Sequence, residues 1–188
     1  MKQKRVFKNG DGAAFPASHA RPGEMDSKPA GHQRALENSV GFDLRKMTAR
    51  DLDRVKSFYY GMISLNDKYA GQILDELRSL GLDQRTVVVF NADHGEMLGD
   101  HGLLFKGGYM YEEVLHVPLI IRAPGKLAGG TVSGGLNEEI DVLPAILELL
   151  GIPGPKGIQG KSLLGAAGKA AVFAEFPTIH AVRTTDWK

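Results

Sequence analysis

Residues 86–95 read TVVVFNADHG, an apolar run that is followed directly by polar and charged residues. Its β-branched, continuously apolar start at 86–90 predicts a strand buried on both faces. Upstream, residues 51–80 place apolar side chains three or four positions apart, which predicts one long amphipathic helix that stops at Gly81. The apolar positions of that helix include Met62, Tyr69, Ile73, Leu77 and Leu80. We therefore expect a helix that leads into a buried strand.

Downstream, the same alternation of strands and helices continues. A second strand is predicted at 117–122, and a second helix begins at Asp141, which can cap it, and ends at Gly151. Residues 171–175 and 180–184 predict the start of a hairpin. This order predicts an α/β fold with a mostly parallel sheet flanked by helices. It divides the chain into an extended or partly disordered arm (1–50), an α/β core portion (51–165) and the beginning of a C-terminal β subdomain (166–188).

The composition excludes several classes of protein. In 188 residues, 23 Lys and Arg oppose 22 Asp and Glu, and a net charge of +1 argues against a nucleic-acid partner. The chain has no Cys, which excludes disulfides, thiolate zinc sites and a cysteine nucleophile. No stretch approaches the roughly 18 apolar residues of a membrane span. Asn9, Gly10 and Asp11 interrupt the region where a signal peptide would be apolar, so we expect a cytoplasmic protein if Met1 is the native start.

The chemistry is expected directly after the first strand. Ligands of open α/β sheets bind outside the carboxyl ends of the strands. Residues 91–102 follow that strand and contain two Asp, one Glu and two His among three Gly. These oxygen and imidazole ligands on a pliable backbone are typical of a metal site. The alternative is a strand-end turn in which the Asp93 carboxylate caps the backbone.

A longer series of motifs resembles a known family. The series is DHGE at 93–96, LG-x-HGL at 98–103, KG at 106–107, YEE at 111–113 and VPLII-x-x-PG at 117–125. In this order and spacing the motifs closely resemble the sulfatase family of the alkaline-phosphatase superfamily. The resemblance covers about residues 51–188 with good specificity and the preceding arm only loosely. It implies part of an alkaline-phosphatase-like α/β fold.

The resemblance also implies roles for four residues. Asp93 aligns with a carboxylate ligand of the family's divalent cation, commonly calcium, with manganese or magnesium as alternatives. His94 aligns with the adjacent ligand position, which is Asn or His among members. Lys106 aligns with the lysine that contacts the sulfate oxygens, and a compact ammonium suits an anionic ester. His101 lies in the same loop, either with a hydrogen bond to the substrate or with a structural role.

One part of the family pattern is missing from these residues. Members form a formylglycine nucleophile in a C/S-x-P-x-R motif, and no such motif occurs here, nor do the other expected acidic ligands of the cation. The chain resembles the carboxyl-terminal portion of a sulfatase, and we expect it to be inactive alone.

Three functions remain open. The first is metal-dependent hydrolysis of sulfate monoesters of a small molecule or sugar, of the arylsulfatase type. The second is hydrolysis of phosphonate monoesters or phosphodiesters within the same superfamily. The third is a non-catalytic module that could form oligomers through an exposed sheet edge.

Overall fold

A computed structural model describes residues 15–38, 40–165 and 168–187, and the chain falls into two compact units. The helical unit comprises Met1–Leu80 and Glu96–Tyr109, and the sheet unit comprises Gly81–Gly95 and Met110–Lys188. Residues 1–14 of the expected arm, and residues 166 and 167 at the start of the expected β subdomain, lie outside the described residues. The predicted domain boundaries stay a prediction.

The helical unit is built on one long helix, α2 (Ala49–Ser79). The Thr48 hydroxyl accepts from the Asp51 N–H at 3.2 Å, and the Asp51 carboxylate accepts from the Thr48 N–H at 3.0 Å. This capping box satisfies two N–H groups that the first turn leaves unpaired, so the helix begins two residues earlier than expected. After Ser79 the chain reaches a left-handed residue at Gly81 (φ 65°). The predicted long helix is confirmed, and much of its apolar face is exposed.

The described part of the expected arm contains short helices. A 3₁₀ turn spans Glu24–Ser27, α1 spans Ala30–Glu37, and a second 3₁₀ turn spans Leu44–Lys46. The sequence predicted an extended segment because these pieces are too short to show a sustained apolar period. Helix α1 has only eight residues and buries none of them.

The sheet unit contains two strand pairs, and the first differs from the prediction. Strand β1 (Val88–Asn91) pairs antiparallel with β2 (Leu119–Arg122). A pattern of side chains identifies a strand but not the direction of its neighbour. The connection 92–118 is described throughout and contains the four-residue helix α3 (Glu112–Leu115) rather than the long crossover helix usual for a parallel pair. The expectation of a mostly parallel sheet is therefore wrong for this pair.

The burial of this pair also differs from the prediction. Phe90 on β1 is 52% exposed and Ile120 on β2 is 62% exposed, although the sequence predicted burial on both faces. An apolar run allows a strand to be buried. Burial occurs only where other segments of the protein pack against both faces of the strand. Within the described residues these two side chains remain on the surface.

The second pair is the predicted hairpin. Strand β3 (Val172–Phe176) pairs antiparallel with β4 (Ile179–Arg183). Helix α4 (Val142–Leu150) precedes it and ends, as predicted, at Gly151, which is left-handed (φ 68°). Both the hairpin and the helix end are confirmed.

Asp141 stands at the predicted N-cap position of α4, but its side chain bonds to other partners. It lies in a 3₁₀ turn, Glu139–Asp141, and its side chain makes no cap bond to α4. Instead its carboxylate accepts from the N–H groups of Glu138 at 3.0 Å and Lys161 at 2.8 Å, and it lies 2.7 Å from the ammonium of Lys169. That ammonium also bonds to the Glu138 carboxylate. Asp141 thus ties three segments together at the base of α4.

The buried apolar side chains form a small core in each unit. In the helical unit they are Met25, Leu44, Met97, Leu103 and Leu104, and in the sheet unit they are Val114, Ala123, Ala145 and Leu149. Met97 and Leu103 are fully buried and flank the loop that carries His101. In the described part of the chain, no helix combines the length and the apolar character needed to cross a bilayer.

Candidate functional site

Strand β1 delivers Asp93 and His94 into a tight turn. The strand ends at Asn91, and the Gly95 N–H donates to the carbonyl of Val114 at 2.8 Å. A Cβ atom at Gly95 would lie 1.9 Å from the carbonyl oxygen of Glu113. Only glycine allows the backbone to approach this closely. The turn that carries Asp93 and His94 is therefore fixed on both sides.

Asp93 and His94 face each other within this turn. Asp93 Oδ1 accepts from the His94 N–H at 3.0 Å, and Asp93 Oδ2 lies 3.5 Å from His94 Nε2. His94 Nδ1 lies 2.9 Å from the Gly95 carbonyl oxygen, which can only accept. The ring proton therefore belongs on Nδ1, and a neutral ring carries its lone pair on Nε2, beside the carboxylate.

This donor set fits a divalent cation. The Asp93 side chain is 83% exposed, so one carboxylate oxygen and the Nε2 lone pair of His94 present two ligands to the same space. A carboxylate oxygen suits calcium, magnesium or manganese, and an imidazole nitrogen is a common ligand of transition metals such as manganese. Asp93 Oδ1 accepts the hydrogen bond from the His94 N–H, as expected for a strand-end turn in which the Asp93 carboxylate caps the backbone. The two interpretations of Asp93 are therefore compatible.

His101 and Lys106 belong to the helical unit, on the loop 98–106. Leu98 and His101 are left-handed non-glycine residues, with φ of 45° and 54°. Two backbone hydrogen bonds close the loop. The Leu98 N–H donates to the Leu104 carbonyl at 3.0 Å, and the Gly99 N–H donates to the Leu103 carbonyl at 2.7 Å. Such backbone strain persists only where the surroundings over-determine it, and it clusters at functional sites.

The imidazole of His101 is held by Glu24, a residue that the sequence did not single out. Its Nδ1 lies 2.6 Å from Glu24 Oε1, and the two side chains are 21% and 17% exposed. The hydrogen bond from His101 lowers the pKa of the Glu24 carboxyl, although burial acts in the opposite direction. Both residues line a cavity of about 260 Å³, together with Arg21, Met25 and Leu36. No local signal pairs Glu24 with a histidine 77 positions away.

Lys106 is exposed at the end of the same loop. Its backbone N–H donates to the carboxylate of Glu96, so the motif glutamate orders the main chain beside the lysine. The next residue, Gly107, packs against the ring of Tyr109, where a Cβ atom would lie 2.7 Å from a ring carbon. Burial raises the pKa of the Tyr109 hydroxyl. The structure thus fixes the backbone around Lys106 and leaves its side chain on the surface.

Four predicted site residues are therefore placed as two pairs. Asp93 and His94 form one pair at the end of β1 in the sheet unit, and His101 and Lys106 share one loop of the helical unit. The assignment of these residues to cation and ester stays a prediction.

Comparison with known proteins identifies the family. The family model described as Sulfatase matches residues 12–152, well over half of the chain. The chain belongs to the sulfatase family. It is 38% identical over 124 residues to arylsulfatase K of Bos taurus, a match that covers 66% of this chain and 23% of that relative. It is also 38% identical over 115 residues to the multifunctional alkaline phosphatase superfamily protein PehA of Trinickia caryophylli, which covers 61% of this chain and 22% of that relative.

Solved structures agree with this assignment. The phosphonate monoester hydrolase from Silicibacter pomeroyi superimposes with a TM-score of 0.75 at 28% identity, covering 87% of this chain and 35% of that one. The sulfatase-family chain is therefore part of an alkaline-phosphatase-like α/β fold, as predicted. It spans about a quarter of the length of the curated relatives it matches.

Proposed function

We propose that this chain supplies cation-binding and ester-binding contacts of a metal-dependent sulfuric ester hydrolase of the arylsulfatase type. The observation that carries the proposal is the pairing of Asp93 Oδ2 with His94 Nε2, 3.5 Å apart, directly after β1. Both atoms are good ligands, and the bond from Nδ1 to the Gly95 carbonyl fixes the imidazole in the ligating form. Membership of the sulfatase family and the likeness to arylsulfatase K support the choice of a sulfate ester.

Each residue then has a distinct task. Asp93 and His94 would hold a divalent cation, calcium by family precedent, with manganese or magnesium compatible with the carboxylate. When bound, such a cation neutralises the charge that develops on the ester oxygens. Lys106 places a mobile positive charge against the sulfate group, and His101 donates a hydrogen bond to it. The substrate is a sulfate ester of a small molecule or sugar.

The nucleophile is not among these 188 residues. The chain has no Cys, and none of its Ser residues lies in an S-x-P-x-R motif. We therefore expect the purified chain to release no 4-nitrophenol from 4-nitrophenyl sulfate, with or without calcium. Release that depends on the cation and disappears in the Asp93→Asn variant would contradict this expectation.

Ester binding tests the proposal independently of turnover. In isothermal titration of 4-nitrophenyl sulfate into the calcium-loaded chain, Lys106→Gln should weaken binding about 10-fold, because one charge-assisted contact is lost. Lys68→Gln, which removes an exposed lysine from α2, is the matched control and should leave the affinity unchanged. Equal affinities for the wild type and Lys106→Gln would exclude Lys106 from the ester site.

A second candidate is hydrolysis of phosphonate monoesters or phosphodiesters. The observation in its favour is the likeness to the phosphonate monoester hydrolase from Silicibacter pomeroyi. A cation and a lysine neutralise a phosphonate monoester in the same way as a sulfate ester, so these residues alone do not separate the two. Titration with 4-nitrophenyl phenylphosphonate beside 4-nitrophenyl sulfate discriminates them. Tighter binding of the sulfate supports the first candidate, and tighter binding of the phosphonate supports the second.

A further inference from the structure

The loop that carries His101 depends on contacts from the segment 16–24. The Ser18 hydroxyl donates to the carbonyl of Leu98 at 3.3 Å, and the His101 N–H donates to the carbonyl of His19 at 3.0 Å. In return the His19 N–H donates to Asp100 Oδ1 at 2.5 Å. The loop atoms in these bonds belong to Leu98, Asp100 and His101, so they include both left-handed residues. The bonds offset the backbone strain of those two residues.

The segment 16–24 is itself anchored to α2 by a buried lysine. The ammonium of Lys56 donates to the Pro16 carbonyl at 2.7 Å and to the Ser18 hydroxyl at 2.8 Å. Lys56 is buried, so these bonds form in a region of low dielectric where they are stronger than in water. The path from α2 through Ser18 to the His101 loop is thus continuous.

Glu24 completes this support at the imidazole itself. Its two carboxylate oxygens have different partners: Oε2 accepts from the Arg21 N–H at 3.3 Å, and Oε1 accepts from His101 Nδ1 at 2.6 Å. The bond to the main chain restricts rotation of the carboxylate, and the left-handed Gly23 before it allows the tight turn. An ionised carboxylate only accepts hydrogen bonds, so the proton of this contact lies on Nδ1.

We infer that Glu24 is a positioning residue: its carboxylate fixes the orientation and the Nδ1–H tautomer of His101. The inference rests on the proposed function, in which His101 hydrogen-bonds the ester. Ester oxygens only accept hydrogen bonds, so Nε2 serves the ester as a donor when the ring carries both protons, and Glu24 holds Nδ1 in either protonation state. This arrangement follows the general pattern in which a carboxylate orients a functional imidazole through its other nitrogen.

The tautomer can be measured in the free chain. Long-range ¹H–¹⁵N correlation spectra at pH 8.5, without ester or cation, report which ring nitrogens of His101 are protonated, and His101→Gln identifies the signal. We expect Nδ1 to carry a proton in the wild type. In Glu24→Met, which removes the acceptor and keeps the size, we expect the proton to move to Nε2. An unprotonated Nδ1 in the wild type, or an unchanged signal in Glu24→Met, overturns the inference.

A matched control and a separate ligand measurement distinguish this result from the proposed function. Glu37→Met removes an exposed carboxylate of the same unit that pairs with Arg45, and it should leave the His101 signal unchanged. A change in Glu37→Met equal to that in Glu24→Met overturns the inference, because the effect would then be general. In titrations at pH 5.5, below the ordinary imidazole pKa, weakening of 4-nitrophenyl sulfate binding by about 5-fold in Glu24→Met supports a positioning role toward the ester, because the ring loses its fixed orientation. Unchanged ester binding in that variant overturns that role, whereas failure of the wild type to bind the ester counts against the proposed function.

Discussion

Replacement of Asp93 by Asn is expected to weaken calcium binding by roughly 100-fold, because it removes the charged ligand from the proposed site. Asn keeps the size of the side chain and one acceptor oxygen, so the turn bond from the His94 N–H can persist. The loss should therefore appear in the affinity and not in the fold. Isothermal titration of calcium into each protein, together with circular dichroism, measures both quantities.

The control for this prediction is Asp53→Asn, which neutralises an exposed carboxylate on α2 outside the turn. It changes the net charge by the same amount and should leave the calcium affinity close to that of the wild type. Equal calcium affinity in Asp93→Asn and the wild type would remove Asp93 from the set of ligands.

Asp141→Ala is expected to have the largest effect on stability. The Asp141 side chain is 1% exposed and accepts from two backbone N–H groups and from the Lys169 ammonium. Its removal leaves these donors without their acceptor in a buried place, which typically costs about 3–5 kcal/mol. Urea unfolding followed by circular dichroism should show a correspondingly lower midpoint. Glu148→Ala, an exposed change on α4, should stay within about 0.5 kcal/mol of the wild type.

The pH dependence of this effect has a definite sign. Burial raises the pKa of Asp141, but the bonds from Lys169 and the two N–H groups lower it more, so the net pKa is below its ordinary value. The carboxylate therefore stabilises the fold above the ordinary Asp pKa of about 4, and this contribution is lost as the pH falls further through the folded-state value. Below about pH 4 the wild type should lose stability more steeply than Asp141→Ala. Parallel slopes for the two proteins would contradict the assigned role.

Local signals made most of the secondary structure predictable. Helix α2 follows from its apolar spacing, and the end of α4 follows from Gly151, because periodicity and glycine caps act within a few residues. The antiparallel pairing of β1 with β2 was not predictable, because the side chains of a strand do not specify its neighbour. The exposure of Phe90 was not predictable either, because the burial of a strand residue depends on segments that are distant in the sequence.

In the candidate site, too, local contacts could be predicted from the sequence and long-range contacts could not. Asp93 and His94 could be found because their residue types follow a strand directly, and their mutual geometry is set within one turn. Glu24 could not be found, because its contact with His101 depends on the path of the segment 16–24. The side-chain partners of Asp141 could not be found either, since Lys161 and Lys169 reach it only through the tertiary fold.

The proposed cation site at Asp93 and His94 is tested most directly by paramagnetic broadening with Mn²⁺, which binds the same hard ligands as calcium. In ¹H–¹⁵N spectra of the full chain at substoichiometric Mn²⁺, the amides of residues 92–95 should broaden most. Excess calcium should restore them, and Asp93→Asn should abolish the effect. Sharp signals at residues 92–95, with broadening centred elsewhere or absent, would contradict a cation site at this turn.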